Sequence, residues 1–258
     1  MALKIQYCSD LHLEFSENRD YMRAHPLEPV GEVLVLAGDI VPFAQMKRHE
    51  DFFSYVSDHF QRVYWLPGNH EYYHGDVVAR QGTFCEKVRD NIWLVNNMAF
   101  THEGTQLVFS TLWSHISPRY EWAIENGMSD FRVIANGEKR FTVGDFNRLH
   151  QESVKFIQAE LNTHGAKAAV FTHHVPTFYH YPPQYKGSAL SEAFAVELFD
   201  LMEKYGPSHW VYGHHHVNVP EALLGRTRLL TNQLGYVHMG EHTLFDGGRW
   251  FRVGDDED

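Results

Sequence analysis

The 258-residue chain has only two cysteines, Cys8 and Cys85. That excludes a disulfide framework and zinc ligation by clustered cysteine pairs, and points to two reduced thiols in a cytosolic protein. No apolar run approaches the roughly 18 residues that a membrane helix requires. The first ten residues, M-A-L-K-I-Q-Y-C-S-D, lack the charged and apolar regions of a signal peptide, so the expected location is cytoplasmic, with no membrane partner. Basic residues are also few. There are 22 Lys and Arg against 33 Asp and Glu, a formal net charge of −11. That balance argues against duplex nucleic acid as a partner, since such binding draws on Lys and Arg to neutralise phosphates. No internal repeat, low-complexity linker or compositional break marks a second domain, so one domain over residues 1–258 is expected. With 43% apolar and 21% charged residues, the chain has the composition of a folded protein.

What is abundant is histidine, at 19 residues. Short apolar runs at Leu3–Cys8, Val33–Ala37, 63–66, 92–95, 106–110, Ala168–Thr172, 210–212, 228–231 and Trp250–Val253 read as strands. Helical spacing of apolar residues predicts helices over 45–59, 77–89, 146–162 and 192–205, the third stopped by Gly165. Residues 113–143 read as an irregular insertion at the rim of a site. The acidic tail, 255–258, reads as disordered.

The polar groups concentrate where the predicted strands end: Asp10-Leu11-His12, Gly38-Asp39, Gly68-Asn69-His70-Glu71, His173-His174 and Gly213-His214-His215-His216. Loops after strand C-termini are the usual place to build a site in α/β proteins. A lone histidine is most often a surface or satisfied core residue; five such motifs at strand ends are not. Asp10 and His12, two apart in an extended segment, point to one side and can chelate one ion, as can His214 and His216. Asp39 offers two carboxylate oxygens able to bridge two cations, and Asn69 offers a neutral carbonyl. Imidazole and carboxylate without thiolate favour Mn, Fe, Zn, Co or Ni over Cu(I) or an iron–sulfur centre. His70-Glu71-Tyr72-Tyr73-His74 also spells H-E-x-x-H, but that zinc-protease motif needs a helix, and Pro67-Gly68 before it and Gly75 after it oppose one.

Taken in order, D-x-H, G-D, G-N-H-E, V-x-x-H and G-H-x-H resemble the calcineurin-like metallophosphoesterases, with matches from residue 10 to 216. The resemblance implies an α/β (α+β) fold in which two packed mixed β-sheets are flanked by helices, a four-layer sandwich with the site at one end. It implies one metal ion on Asp10, His12, Asp39 and His216, and a second on Asp39, Asn69, His173 and His214. His173 is preferred to His174 because it holds the fourth place of V-F-T-H. His70 would contact the substrate phosphate beside Asn69 and help protonate the leaving group. The implied activity is metal-dependent hydrolysis of a phosphodiester or phosphomonoester by a bridging hydroxide, on a binuclear centre of divalent or mixed-valence transition-metal ions. Two divalent ions against Asp10 and Asp39 leave the centre locally positive despite the net −11.

Two stretches are candidates for specificity. In 113–143, Arg132 of S-D-F-R is a candidate contact for a second phosphate or a nucleotide edge, against an ordinary surface arginine. In 178–187, Tyr179, Tyr181 and Tyr185 offer either base stacking or loop packing. The partner expected is a small phosphorylated substrate. A nuclease acting on short single strands and a non-catalytic scaffold binding a protein partner are the alternatives, and composition leaves the oligomeric state open.

Overall fold

The computed structural model describes residues 2–254; the acidic tail at 255–258 lies outside them. The strands in chain order are β1 (Leu3–Cys8), β2 (Val33–Ala37), β3 (Arg62–Leu66), β4 (Phe84–Lys87), β5 (Ile92–Asn96), β6 (Met98–His102), β7 (Thr105–Ser110), β8 (Ala135–Asn136), β9 (Lys139–Arg140), β10 (Ala168–Thr172), β11 (His209–Val211), β12 (Ala222–Leu224), β13 (Thr227–Leu230) and β14 (Trp250–Val253). The helices are α1 (Ser16–Ala24), α2 (Glu50–His59), α3 (Glu121–Gly127), α4 (Asp130–Val133), α5 (Val143–His164), α6 (Ser191–Phe194) and α7 (Phe199–Tyr205). Two six-stranded mixed sheets run in the orders β14-β1-β2-β3-β5-β4 and β12-β13-β11-β10-β7-β6, and β8-β9 is a small hairpin.

Alternation along each central strand explains the layering, because successive side chains point to opposite faces. In β2, Val33, Val35 and Ala37 face the second sheet, while Leu34 and Leu36 face the layer that holds α2. β10 mirrors this: Ala169 and Phe171 point inward, and Ala168 and Val170 point toward α5 and α7. Buried on both faces, these strands read as continuous apolar runs. Each fully buried Val, Leu or Phe contributes roughly 1.5–3 kcal/mol. The four-layer expectation is met.

β1, β2 and β3 are mutually parallel, as are β7, β10, β11 and β13, so the carboxyl ends within each set lie along one edge. The two edges are stitched together. Ser9 N–H donates to the Asn232 carbonyl (3.0 Å) and Leu234 N–H to the Ser9 carbonyl (3.1 Å).

Several helix expectations are corrected. Residues 77–89 form a single 3₁₀ turn, Val77–Arg80, followed by β4, which pairs antiparallel with β5. Gly82, at φ +66°, breaks the helix there. Over 45–59, only Glu50–His59 is α-helical, after a 3₁₀ turn at Phe43–His49. Residues 192–205 split into α6 and α7, because Ala195 is extended and its neighbour Val196 donates to the Val175 carbonyl (3.0 Å). The helix expected at 146–162 is longer, starting from a capping box of Thr142 and Asp145. Strands β4, β6 and β12 and helix α1 have no counterpart among the predicted elements. The insertion at 113–143 holds α3, α4 and the β8-β9 hairpin, and its Trp113, Phe131 and Phe141 pack with Phe146 in a rim core. Among the described residues, no helix is long and apolar enough to cross a membrane.

Candidate metal centre

Chain geometry at the strand ends is under tension. Asp10, His12, Asp39, His214 and His216 all have φ between 45° and 80°. For non-glycine residues this left-handed region costs of order 1–3 kcal/mol each, and such outliers cluster where function demands a particular side-chain direction. Two glycines permit the crowding. A Cβ on Gly68 would fall 2.2 Å from Asp39 Oδ1 and 2.6 Å from His173 Nε2, and one on Gly213 would fall 2.5 Å from Asp10 Oδ2.

The result is two ligand groups that share Asp39. Asp10, His12, Asp39 and His216 converge in one, and Asp39, His173 and His214 in the other, with ligating atoms in each within 4.8 Å of one another. Asp39 Oδ2 lies 3.8 Å from His12 Nε2 and 3.3 Å from His173 Nε2. His216 Nε2 is 3.4 Å from Asp10 Oδ1, and His173 Nε2 is 3.1 Å from His214 Nδ1. Asp10, Asp39, His12 and His173 are at most 1% exposed.

Hydrogen bonds on the far sides set the histidine tautomers. Nδ1 of His12 donates to Glu14 (3.2 Å), of His216 to Glu241 (2.8 Å) and of His173 to the Ala37 carbonyl (3.0 Å). Each Nε2 is then a bare lone pair aimed at the centre, the arrangement in which imidazole ligands are held for a metal. His12 Nε2 and His216 Nε2 face each other at 3.0 Å, a separation that a shared proton or one metal ion on both nitrogens would satisfy.

Asn69 supplies a second test of fit. Its Nδ2 donates to Asp130 Oδ1 (2.8 Å), which turns Oδ1 the other way, and that buried oxygen has no hydrogen-bond partner. A buried carbonyl left unpaired costs about 1–3 kcal/mol unless something binds it. The donor set, nitrogen and oxygen without sulfur, suits a borderline or hard divalent ion. These residues fit a binuclear metal centre.

The electrostatics point the same way. Burial opposes a proton on His173 and His216, yet Asp39 raises the first to about 9, and Asp10 and Glu241 raise the second to about 10. The buried carboxylates thus demand positive charge at the imidazoles, which bound metal would supply in place of protons. Burial alone would raise Glu14, but hydrogen bonds from His12 and His70 bring it down to about 2. Glu71 accepts from the backbone N–H of Asp39, Ile40 and Gly68 (2.8, 2.8 and 2.7 Å) and from Trp65 Nε1 (3.0 Å). Those donors favour its anion, while burial and Asp39 push it up to about 8. It locks the loop after β2 onto the loop after β3.

His70 sits at the mouth of the centre. Its Nδ1 is 3.1 Å from Glu14 Oε1, its N–H donates to Asp39 Oδ1 (2.9 Å), and Tyr73 stacks on its ring at 4.0 Å. His70-Glu71-Tyr72 is a 3₁₀ turn, and His74, at φ 58°, is exposed, so H-E-x-x-H forms no helical zinc face. His174 and His215 are buried beside the centre. His174 packs against His214 at 4.3 Å, and His215 Nδ1 accepts from Gln233 Nε2 (3.1 Å).

Arg132 is not brought to the centre. It is exposed, its guanidinium donates to the Asn126 carbonyl (2.7 Å), and it is absent from the residues that line the adjoining cleft. Its neighbour Asp130 reaches inward instead, accepting from Asn69 and from Tyr73 Oη (2.6 Å). Four carboxylates that support the centre were not assigned to it from sequence. Glu14 follows His12 by two residues, but Asp10 and His12 have φ of 56° and 45°, so the extended segment expected there does not form and no strand alternation marks Glu14. Glu71 stands in the G-N-H-E motif, whereas Asp130 and Glu241 carry no local signal.

A cleft of 790 Å³ opens over the centre, lined by residues from both candidate specificity stretches, including Met128, Ser129, Tyr181 and Tyr185. Two mixed sheets that offer buried carboxylates and imidazoles at one shared edge define a phosphoesterase-type metal fold. The family model described as calcineurin-like phosphoesterase matches residues 3–218, and the chain belongs to that family. It is 30% identical to an uncharacterised protein of Acanthamoeba polyphaga mimivirus over 263 residues, 91% of each chain. Among solved structures it resembles the phosphopantetheinyl hydrolase of Mycobacterium tuberculosis (TM-score 0.66, 17% identity, 98% and 96% of the two chains). It also resembles a dimetal phosphatase from Danio rerio (TM-score 0.55, 11% identity, 98% and 93%). At these identities the two structures speak for the fold alone.

Proposed function

We propose that the protein hydrolyses a phosphoester bond of a small phosphorylated substrate at a binuclear metal centre. The observation that carries this reading is the shared position of Asp39 between the group of Asp10, His12 and His216 and the group of His173 and His214. Asp10, His12, Asp39 and His216 would hold one ion, and Asp39, Asn69, His173 and His214 the other. Two divalent ions held there would supply Lewis-acid polarisation of the phosphoryl oxygens and would acidify a water.

The chain's own groups do the rest. Asn69 is aimed by Asp130, so its carbonyl needs no reorientation when the substrate arrives. Glu14 holds His70 through Nδ1, which leaves Nε2 as the nitrogen that meets the phosphate or delivers a proton to the leaving oxygen. Tyr73 limits rotation of that ring by stacking on it. Arg132, tied to the Asn126 carbonyl, is assigned no contact with the phosphate.

The test pairs chromogenic phosphomonoesters and phosphodiesters with Mn²⁺, Fe²⁺, Co²⁺, Ni²⁺, Zn²⁺ and Mg²⁺, and measures bound metal by elemental analysis. About two ions per chain and metal-dependent turnover are expected. Full metal loading without turnover on either ester class would move the protein to the scaffold reading.

A further inference from the structure

The walls of the cleft have one consistent chemistry. Close to the centre, Tyr73 stacks on His70 (4.0 Å, 26°), Phe194 on His214 (4.6 Å, 27°), and Tyr236 meets His216 edge-on (4.5 Å, 87°). Farther out, Met128 at the end of α3 lines the cleft with Leu190, which packs in the same cluster, and with Tyr181 and Tyr185 from the segment after His174. Ser129, Ser188 and Ser191 add hydroxyl groups, and Gln45 an amide. Apart from Asp39 of the centre itself, the acidic side chains are Glu14 and Glu241, each already bonded to a histidine. Among the described residues lining the cleft there is no Lys or Arg. Arg132, on the neighbouring helix, is directed to the Asn126 carbonyl.

We infer that the substrate carries a single phosphate on an uncharged aromatic or aliphatic arm, and is not a polyanion such as a nucleoside polyphosphate or a nucleic-acid strand. This rests on the hydrolase reading above and names the substrate class of that site. One phosphate has its countercharge at the metal centre. A second anionic group would lie between aromatic faces and two carboxylates, desolvated and without a cation. An apolar arm gains from the same surroundings, because aromatic walls with a few hydroxyls bury and orient uncharged groups. The 790 Å³ volume leaves room for such an arm beyond the phosphate. The net charge of −11 also disfavours approach by polyanions.

The test is calorimetric binding of three phosphonates to the Mn²⁺-loaded protein: methylphosphonate, 3-phenylpropylphosphonate and 3-(4-carboxyphenyl)propylphosphonate. Turnover of 4-nitrophenyl phosphate is measured alongside. The neutral phenyl arm should tighten binding at least tenfold over methyl, and its carboxylate should abolish that gain. Tyr185→Ala should shrink the gain at least threefold. A phenyl gain below threefold, or equal binding of the carboxylated compound, overturns the inference even when the reporter is hydrolysed. Absence of both phosphonate binding and reporter turnover would overturn the hydrolase reading and the inference with it.

Discussion

Loops of the first sheet bring Asp10, His12, Asp39, Asn69 and His70 to the cleft, whereas loops of the second bring His173, His214 and His216. In the proposed centre the first edge would supply all the ligand oxygens and both charges, and the second only nitrogen. Neither edge would hold two ions alone. The first would leave buried carboxylates uncompensated, and the second could offer no bridge between cations. The sheets are also joined at this point, since Asp10 Oδ1 accepts from His214 N–H across the two edges at 3.1 Å. Metal binding and the docking of one sheet on the other are therefore coupled, and metal should stabilise the fold by mass action.

That comparison can be broken most directly at Asp39, the ligand common to both groups. Asp39→Ala should lose both ions in elemental analysis and reduce turnover by about 10³-fold or more, equivalent to about 4 kcal/mol. His216→Ala removes nitrogen from one group only, so bound metal should fall from about two ions to about one. Retention of two would show that the groups are not as divided here. Gly68→Ala adds no charge and removes no ligand, yet its Cβ would meet Asp39 Oδ1 at 2.2 Å. A metal affinity close to wild type in that variant would contradict the crowding. Asp130→Asn and Glu241→Gln act one step further out, on Asn69 and His216. Each should weaken metal binding by roughly 10–100-fold, read by competition with a chelating dye.

The smallest expected effect sharpens a contrast within the second sheet. β11 has His209 at its start and His214 and His216 beyond its end. His209, stacked on Phe251 at 4.2 Å, has no carboxylate hydrogen-bonded to it; burial, with help from Arg228, lowers it to about 4. The unfolded value is about 6.5. The unfolded chain therefore binds the extra proton first, and stability falls as pH drops from 6.5 toward 4, levelling off below that. This contribution is about 3 kcal/mol by the size of the shift. Urea melts of wild type and His209→Phe at pH 7.5 and 4.5 should show the variant losing less stability on acidification.

Much of the centre was legible because its ligands belong to short segments. Asp10 and His12, Gly68 to His70, and Gly213 to His216 are neighbours in sequence, each immediately after an apolar run. The two-sheet layering was implied by the resemblance those motifs carry, since a run such as V-L-V-L-A says only that both faces are buried. Helix 77–89 failed because a few apolar residues at helical spacing were outweighed by Gly82 and by pairing of Phe84–Lys87 with a strand that periodicity does not reveal. In S-D-F-R, Arg132 is the cation expected at a phosphate, while Asp130, two places earlier, makes the contact with Asn69.

The amino-acid sequence by itself determined which side chains can ligate, the order in which strand ends present them, and the family to which that order belongs. Tertiary structure alone decided that Glu14, Asp130 and Glu241 stand behind His12 and His70, Asn69 and His216, and that aromatic walls, with no Lys or Arg among the described lining residues, enclose the cleft. The reason is physical. Ligand spacing is a property of a few consecutive backbone dihedrals, whereas a supporting contact between residues 61 positions apart, as for Asn69 and Asp130, exists only once two packed layers bring those positions together.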